Sequence, residues 1–383
     1  MRTRSILATA LLCLCPAMAD ARLAISGNDG KQLQKGEDAG VLPDSVSVID
    51  LNAYPPKVIG QVQAPAGMIG PPGAVAVSRD ERFAIVSAAQ KLNSADPMRP
   101  LDNDQVSVID LSRPSNPRVM QTVASGKGAS GVAMNRAQTL VLVAAKMEDA
   151  IIVLRLSGRR LTPAGRVDLG KGAAPTDVVF APDGRHAYVV AQGISKIVEL
   201  QVQGTKVTPT GQDVATGRSP YGASVTSDGN WLINTNLGGA LEGEDRTGTV
   251  TMVDLKSHRV AMSLPVGRTP EHVTLSPDGK FAAVVLANGA ANTKADPKYD
   301  QVTGILKIVA VGPGTLAEVA RADSCHWAQG ATFSHDGKLV LQQCAAEREI
   351  QVYRFDGQSL VQDKSASLKL ESRPGSIATG MSR

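Results

Sequence analysis

The sequence contains few aromatic residues and little cysteine. Phe, Trp and Tyr make up 3% of its 383 residues, and it has four Cys. A core with so few aromatic residues must consist of Val, Ile, Leu and Ala, which suits β-strands better than large aromatic-lined pockets. Helical 3.6-residue periodicity is missing over any useful length. A hydrophobic content of 43% excludes a disordered chain.

Several motifs that bind cofactors or perform hydrolysis are also missing. The sequence has no C-x-x-C-H haem motif, no P-loop, no G-x-G-x-x-G after a strand and no G-x-S-x-G elbow. We therefore predict that the protein holds no cofactor. Its 40 basic and 36 acidic residues nearly balance. That balance argues against a nucleic-acid partner bound by bulk charge.

The first 19 residues have the pattern of a secretory signal peptide. Its parts are two basic residues, a short apolar run and an A-x-A cleavage site: Arg2 and Arg4, Ile6 to Cys15, and Ala17-Met18-Ala19. The apolar run is shorter than the ~20 residues that a membrane span needs, and no later segment could form a span. We expect residues 1–19 to be removed, residues 20–383 to form one domain, and the protein to be periplasmic or secreted.

One pattern recurs seven times along the rest of the chain. An apolar strand A is usually followed by a turn ending in Asp-Gly, a strand B, a strand C of the V-S-V-I-D-L type and an outer strand D. Four strands in about 45 residues predict a β-propeller blade. Strand A begins near these positions: Ala74, Val132, Val178, Ala223, Val273, Ala331 and Ser376. The fold class is therefore all-β, a seven-bladed propeller.

The two ends of the chain indicate how the ring closes. The expected mature chain starts with a strand B, Arg22 to Ser26, and ends with a lone strand A, Ser376 to Gly380. The C-terminal strand A would complete a blade with the N-terminal strands B, C and D. Closure of this kind removes exposed sheet edges.

The repeat resembles a known family. The segments T-V-T-M-V-D-L, G-R-S-P-Y-G-A-S-V-T-S-D-G and S-P-D-G-K-F-A-A-V-V resemble the YVTN repeat of the lactonase-like propeller superfamily. This resemblance implies a seven-bladed propeller and leaves the activity open, since it spans lactonases, lactonising enzymes, redox-associated subunits and binding propellers. With two tryptophans, the repeated tryptophan docking of quinoprotein propellers cannot form.

The loops that enter strand A carry basic residues. These are Lys127, Lys171, Arg218, Arg268 and Arg373. In this connectivity the D-to-A and B-to-C loops share one face, so the five cations are expected to form a positive ring for a carboxylate, a phosphate or an acidic partner. The alternative is that they are solvated turn residues.

Further polar residues occupy the same entries to strand A. Tyr221 follows Pro220, Glu271 and His272 follow Pro270, and His326 and Trp327 follow Cys325. We consider His272 and His326 as general bases, with Glu271 as acid or orienting group. Tyr221 and Trp327 join Lys127, Lys171, Arg218 and Arg268 as candidate ligand-binding residues. No ligand spacing supports a metal, so none is predicted.

Two cysteines remain after export. Cys325 precedes strand A of the last full repeat, and Cys344 ends its strand B. Antiparallel neighbours bring both to one end of the blade, and an oxidising compartment favours a disulfide. A redox-active pair is the alternative, but no C-x-x-C motif supports it.

Four B-to-C loops are longer than the others, which is typical of functional loops. They are residues 28–44, 91–104, 238–248 and 288–304. Five aspartates in them are candidates for calcium, though none has EF-hand spacing: Asp96, Asp102, Asp104, Asp296 and Asp300.

Three functions are compatible with these features. The first is a monomeric, exported binding module. It would bind an anionic small molecule or a protein partner on the face formed by the D-to-A and B-to-C loops. The second is a lactonase-like hydrolase or lactonising enzyme that uses the His, Glu and Arg residues. The third, from the resemblance alone, is an accessory subunit of a periplasmic redox system.

Overall fold

The structure is a computed structural model that describes residues 22–34, 40–68, 70–239 and 246–380. Its helices are three short 3-10 turns, at Lys146–Glu148, Gln192–Ile194 and Lys364–Ala366. Within the described residues, no helix is long and apolar enough to cross a membrane. The predicted signal peptide, residues 1–19, lies outside the described residues.

Thirty strands make up most of the described chain. In order they are β1 (Leu23–Asp29), β2 (Ser45–Asp50), β3 (Lys57–Gln63), β4 (Val75–Val77), β5 (Phe83–Lys91), β6 (Leu101–Asp110), β7 (Arg118–Ala124), β8 (Ala129–Met134), β9 (Leu140–Ala145), β10 (Ala150–Ser157), β11 (Arg160–Asp168), β12 (Pro175–Phe180), β13 (His186–Ala191), β14 (Lys196–Gln203), β15 (Lys206–Pro209), β16 (Val214–Ala215), β17 (Pro220–Val225), β18 (Trp231–Asn236), β19 (Thr247–Asp254), β20 (Arg259–Arg268), β21 (Pro270–Leu275), β22 (Phe281–Leu286), β23 (Ile305–Gly312), β24 (Thr315–Asp323), β25 (Ala328–Phe333), β26 (Leu339–Cys344), β27 (Glu349–Phe355), β28 (Leu360–Gln362), β29 (Leu368–Lys369) and β30 (Arg373–Thr379).

These strands form seven antiparallel sheets, the blades of a propeller. Blades 2 to 7 take their strands A to D in chain order, starting at β4, β8, β12, β17, β21 and β25. The outer strand is divided in two places, where β16 also pairs with β14 and β29 with β27. The predicted all-β, seven-bladed fold is confirmed.

The S-x-D-G turns are built by their own side chains. In blade 6, Ser276 Oγ donates to Asp278 Oδ1 at 2.6 Å and accepts from the Phe281 N–H at 3.0 Å. Gly279 has φ +71°, a conformation that glycine adopts without penalty. Ser334 and Asp336 repeat the arrangement in blade 7. The repeated motif therefore fixes the hairpin between strands A and B.

Hydrophobic residues form seven clusters, each between two neighbouring blades. Aliphatic residues dominate them, as the low aromatic content predicts. Strand β9 has the sequence L-V-L-V-A-A, in which apolar and polar residues do not alternate. All six residues are buried, because each blade packs against a neighbouring blade on both faces. The core is therefore distributed round the ring, and each blade depends on its two neighbours.

Blade 1 joins the two ends of the chain. Strand β30 pairs antiparallel with β1, with Ala24 opposite Thr379 and Ile25 opposite Ala378. From blade 7, Gln343 Nε2 donates to Ser26 Oγ at 2.8 Å and to the Ser376 carbonyl at 2.9 Å. The predicted closure by a C-terminal strand A is confirmed.

We predict that removing residues 372–383 abolishes cooperative folding. The deletion takes away strand A of blade 1, exposes the edge of β1 and removes Ile377 from the cluster between blades 7 and 1. Thermal unfolding followed by circular dichroism measures the effect, and deletion of residues 381–383 alone is the control. A full-length melting curve in the longer deletion would contradict the prediction.

Candidate functional site

The D-to-A and B-to-C loops meet on one face, called the upper face. In blades 3 to 7 the residue two positions before strand A accepts a hydrogen bond at its carbonyl from a residue just after strand B. This position holds Ala173 in blade 4 and His326 in blade 7, and it holds a cation in the other three blades. The pairs are Lys127 with Met147 at 3.2 Å, Arg218 with Gly238 at 3.3 Å, and Arg268 with Asn288 at 3.1 Å. Lys127, Arg218 and Arg268 therefore occupy equivalent places in blades 3, 5 and 6, and we call them the basic collar.

The basic collar is exposed to solvent in all three blades. Of the other predicted cations, Lys171 is also exposed but lies four residues before Pro175, because the loop into blade 4 is longer. Acidic groups lie close by in blade 3. The Lys127 N–H donates to Glu148 and lowers the pKa of that carboxyl, with a smaller contribution from the Lys127 charge. The N–H groups of Ala174 and Gly172 lower the pKa of Asp149, and the charge of Lys171 adds a smaller contribution. The positive surface of the basic collar therefore extends over blades 3, 5 and 6.

Arg373 does not join this ring, contrary to the sequence expectation. It is 1% exposed. Its guanidinium donates to the carbonyls of Gln32 at 3.1 Å and Ala345 at 2.8 Å, and it lies 5.4 Å from the centre of the Trp327 ring. The half-buried Trp327, predicted as a ligand-binding residue, therefore packs against Arg373 in the seam between blades 7 and 1.

The loop between β3 and β4 enters the top of the central channel. We call residues 64–72 the plug; those that the structure describes are buried, except the half-buried Pro65. Gly70 packs so closely on Ser130 of blade 3 that a Cβ at residue 70 would lie 1.7 Å from Ser130 Oγ. A Cβ at Gly330 of blade 7 would lie 2.8 Å from Pro72 Cβ, and one at Gly375 of blade 1 would lie 2.7 Å from Met68 Cγ. The plug therefore contacts strand A of several blades.

A buried lysine fastens the plug to blade 1. Lys31 Nζ donates to the Ala66 carbonyl at 2.6 Å and pairs with Asp29 at 3.0 Å and Asp44 at 2.9 Å. Asp44 also accepts from the Ala66 N–H at 3.2 Å. A buried ammonium is tolerated only when it is paired and hydrogen-bonded, as it is here. Sequence reasoning missed this group, since Ala66 lies in a different loop from Lys31 and Asp44.

Beneath the plug, three polar side chains from neighbouring A strands form the channel cluster: Tyr221, Glu271 and Gln329. Gln329 Nε2 donates to Glu271 Oε2 at 3.0 Å. Burial raises the pKa of Glu271 to about 7. Burial, and then the nearby Glu271 carboxylate, raises the pKa of Tyr221, while the Gly70 backbone lowers it. Sequence reasoning found Tyr221 and Glu271 but missed Gln329, which occupies the same repeat position one blade on.

A β-bulge explains why these three side chains converge. In blades 3 to 7, which include the three blades of the channel cluster, the register of strand A against strand B shifts just after the first residue of strand A. The shift falls at Pro220, Pro270 and Ala328, immediately before the members of the channel cluster. A bulge re-aims the side chain beside it and is common next to functional sites.

His272 holds two blades together. It is 3% exposed, and its Nδ1 accepts from the Ala331 N–H of blade 7 at 3.0 Å. Asp177 has the same position in blade 4 and accepts from the Ala223 N–H of blade 5 at 3.2 Å. His272, which the sequence predicted as a general base, is therefore a buried residue that links strand A of blade 6 to strand A of blade 7. Asp177 was missed, although its position two residues after Pro175 matches that of His272 after Pro270.

His326 is likewise engaged at both ring nitrogens. Nδ1 lies 2.6 Å from Glu347 Oε1, and Nε2 lies 2.7 Å from the Tyr299 carbonyl. The imidazole stacks on the Tyr299 ring with centroids 3.6 Å apart. The structure therefore places His326 apart from the channel cluster, and Tyr299 fixes it to the long loop of blade 6.

The predicted disulfide is present. Cys325 and Cys344 are bonded, with Cα atoms 5.6 Å apart. Together with Glu347 they are the one group of three or more His, Cys, Asp or Glu ligands that lie close together in the described part of the chain. Since the sulfurs are bonded to each other, this is not a metal centre. The five aspartates considered for calcium do not converge there.

Comparison with known proteins shows the fold. No family model matches the sequence, and no curated protein matches it. A proposed 6-phosphogluconolactonase from Bacteroides uniformis superposes with a TM-score of 0.69 and 18% identity, over 94% of this chain and 99% of the other. One from Bacteroides fragilis gives 0.71 and 16%, over 95% and 99%. This chain therefore shares the propeller fold of these two proteins. Hydrazine synthase from Kuenenia stuttgartiensis superposes over a smaller part, 77% of this chain and 79% of the other, with a TM-score of 0.59 and 17% identity.

The raised pKa of Glu271 predicts a stability that depends on pH. Folding raises the pKa from its ordinary 4.5 to about 7. The resulting stabilisation is full below pH 4.5 and is lost as the pH rises through about 7, a change of up to about 3 kcal/mol. Urea unfolding at pH 5 and pH 8 measures it. The neutral variant Glu271→Gln should lose this part of the dependence, and the exposed Glu371→Gln should keep it. Identical pH dependence in Glu271→Gln and the wild type would refute the assignment.

Proposed function

We propose that this propeller is a binding module that recognises an anionic ligand on its upper face. The ligand is a small molecule with carboxylate or phosphate groups, or an acidic surface of a protein partner. The observation that carries the proposal is the basic collar, three exposed cations at equivalent positions on rigid blades. Cations held on a fixed ring complement an anion without the cost of ordering flexible loops.

The arrangement beneath the collar supports recognition at the surface. The plug occupies the channel entrance, His272 bridges two blades, and both nitrogens of His326 face acceptor atoms. Neither histidine is thus placed as a general base for a ligand held by the collar. A broad upper face with a charged rim favours contact with an extended partner over deep enclosure of a substrate.

Export is part of the proposal. It rests on the signal pattern of residues 1–19, and the Cys325–Cys344 disulfide supports it, since such bonds persist in oxidising compartments. The partner would then be a periplasmic or extracellular anion.

A lactonase-like hydrolase is the second candidate, and one observation favours it. Glu271 lies beside Tyr221 in the channel, and its pKa of about 7 suits proton transfer near neutral pH. The two similar Bacteroides structures described as proposed 6-phosphogluconolactonases are compatible with this chemistry. For a substrate to reach Glu271 from above, the plug would have to move.

The binding proposal predicts a loss of affinity when the collar is neutralised. The triple variant Lys127→Ala, Arg218→Ala, Arg268→Ala should bind 6-phosphogluconate or a decaglutamate peptide about tenfold more weakly, because each exposed ion pair contributes a few tenths to 1 kcal/mol. Isothermal titration calorimetry at low and moderate salt measures this, and the wild-type affinity should fall with salt.

A matched control removes the same charge from the opposite face. Arg160, Lys206 and Lys256 are exposed residues near the C-to-D turns, and their triple alanine variant should bind like the wild type. Stronger binding of the peptide than of 6-phosphogluconate would identify an acidic protein surface as the ligand type. Equal losses in both triple variants, or no binding by the wild type, would overturn the proposal.

The hydrolase candidate makes a separate prediction. Purified wild-type protein should hydrolyse 6-phosphogluconolactone, and Glu271→Gln should lower kcat at least a hundredfold, as loss of a general acid or base does. Release of acid, followed at constant pH above the spontaneous rate, measures the reaction. A rate equal to the buffer blank, or an unchanged rate in Glu271→Gln, would remove this candidate.

A further inference from the structure

A second concave site lies at the opposite end of the channel, on what we call the lower face. Strand A ends and the A-to-B turns of blades 2 to 6, together with Gly380 at the end of blade 1, enclose a cavity of about 330 Å³. This volume is at the lower end of the range of about 300–1,000 Å³ that small-molecule sites span. The plug and the channel cluster are not part of its lining. The cavity is therefore separate from the upper face.

The wall of this cavity is an apolar ring. Blades 2 to 6 each contribute one apolar residue from the same position of strand A. Val77 is buried, and the other four are half-buried: Met134, Phe180, Val225 and Leu275. Half-buried apolar side chains at equivalent places on five neighbouring blades form a continuous surface that an apolar group can cover. Covering it removes that surface from water, at about 25 cal/mol per Å².

Two cations stand on one side of the rim. Arg79 and Arg136 follow strand A of blades 2 and 3 and line the cavity. Both are exposed, and neither forms an ion pair with any residue in the described ranges. The corresponding residues of blades 4, 5 and 6 are neutral: Pro182, Ser227 and Pro277. The positive charge of the rim is therefore confined to one side.

Among the residues that the structure describes, no carboxylate lines the cavity. The turn aspartate beside Arg79 is engaged by its own turn, since Asp80 accepts from Ser78 Oγ at 2.7 Å and from the Arg82 N–H at 3.2 Å. In blade 3 the turn departs from S-x-D-G and has Ala137 in place of the aspartate, with Asn135 accepting from the Thr139 and Leu140 N–H groups. Arg136 thus has no acidic neighbour within its own turn.

We propose that the lower cavity binds a small amphipathic anion, a molecule with an apolar tail and a carboxylate or phosphate head. The tail covers the ring of Val77, Met134, Phe180, Val225 and Leu275. The head pairs with Arg79 and Arg136, whose guanidinium groups suit either anion through charge-assisted hydrogen bonds. The distribution of charge fixes the orientation, since only one side of the rim carries cations.

Calorimetry with decanoate, decyl phosphate and decanol tests this proposal. The two anions should bind with one-to-one stoichiometry, and neutral decanol should bind at least tenfold more weakly. The stronger of the two anions identifies the preferred head group. Each of Arg79→Ala and Arg136→Ala should weaken anion binding about tenfold, the order expected for one charge-assisted hydrogen bond.

The double variant Arg82→Ala, Arg185→Ala is the matched control, because both residues are exposed turn arginines that do not line the cavity. It should bind decanoate like the wild type, as should the variant without the basic collar. Val225→Trp fills the cavity and should abolish binding while keeping a cooperative melting curve. Decanol binding as tightly as decanoate, binding that survives Val225→Trp, or no binding of either anion would overturn the proposal.

Discussion

The pairing of β30 with β1 is the constraint on which the rest of this structure depends. It joins the last described strand to the first and makes blade 1 from both ends of the chain. Every blade then has two neighbours, and all seven clusters between blades can be filled. Since the blades hold one another at fixed angles, loops far apart in sequence reach defined places round the axis.

The closed ring surrounds a central channel. Loop residues fill the upper end of this channel, whereas the lower end contains a cavity. At the upper end the plug supplies main-chain and small apolar groups, fastened by the buried Lys31 between Asp29 and Asp44. At the lower end the A strands finish in apolar side chains that leave a cavity. Burial within the channel raises the pKa of Glu271, because a poorly solvated carboxyl group resists ionisation.

The sequence was sufficient for the fold because the repeat encodes local structure. Ser276, Asp278 and Gly279 build their turn with their own atoms, so the motif alone predicts a hairpin. The basic collar was predictable for the same reason, since Lys127, Arg218 and Arg268 share one place in the repeat. The prediction for Arg373 was wrong because Arg373 is the first residue of strand β30 and is buried in the closing seam.

Features that depend on contacts between blades were not predictable. The burial of His272 follows from the Ala331 N–H of the next blade, 59 residues away. The anchoring of the plug by Lys31 spans 35 residues and two loops. A repeat predicts which positions are equivalent, but it does not predict which equivalent position receives a partner from outside its own blade.

The departures from the repeat are divided between the two ends of the propeller. A six-residue strand A is about 20 Å long, so the basic collar and the rim arginines are separated by roughly that distance or more. At physiological ionic strength the Debye length is about 8 Å, and the charges of one face are therefore screened from the other. The channel cluster lies between them and carries one carboxyl group whose charge depends on pH. An anion at the proposed lower site would therefore not repel an anionic partner at the proposed collar site, and the two proposed sites would be independent of each other.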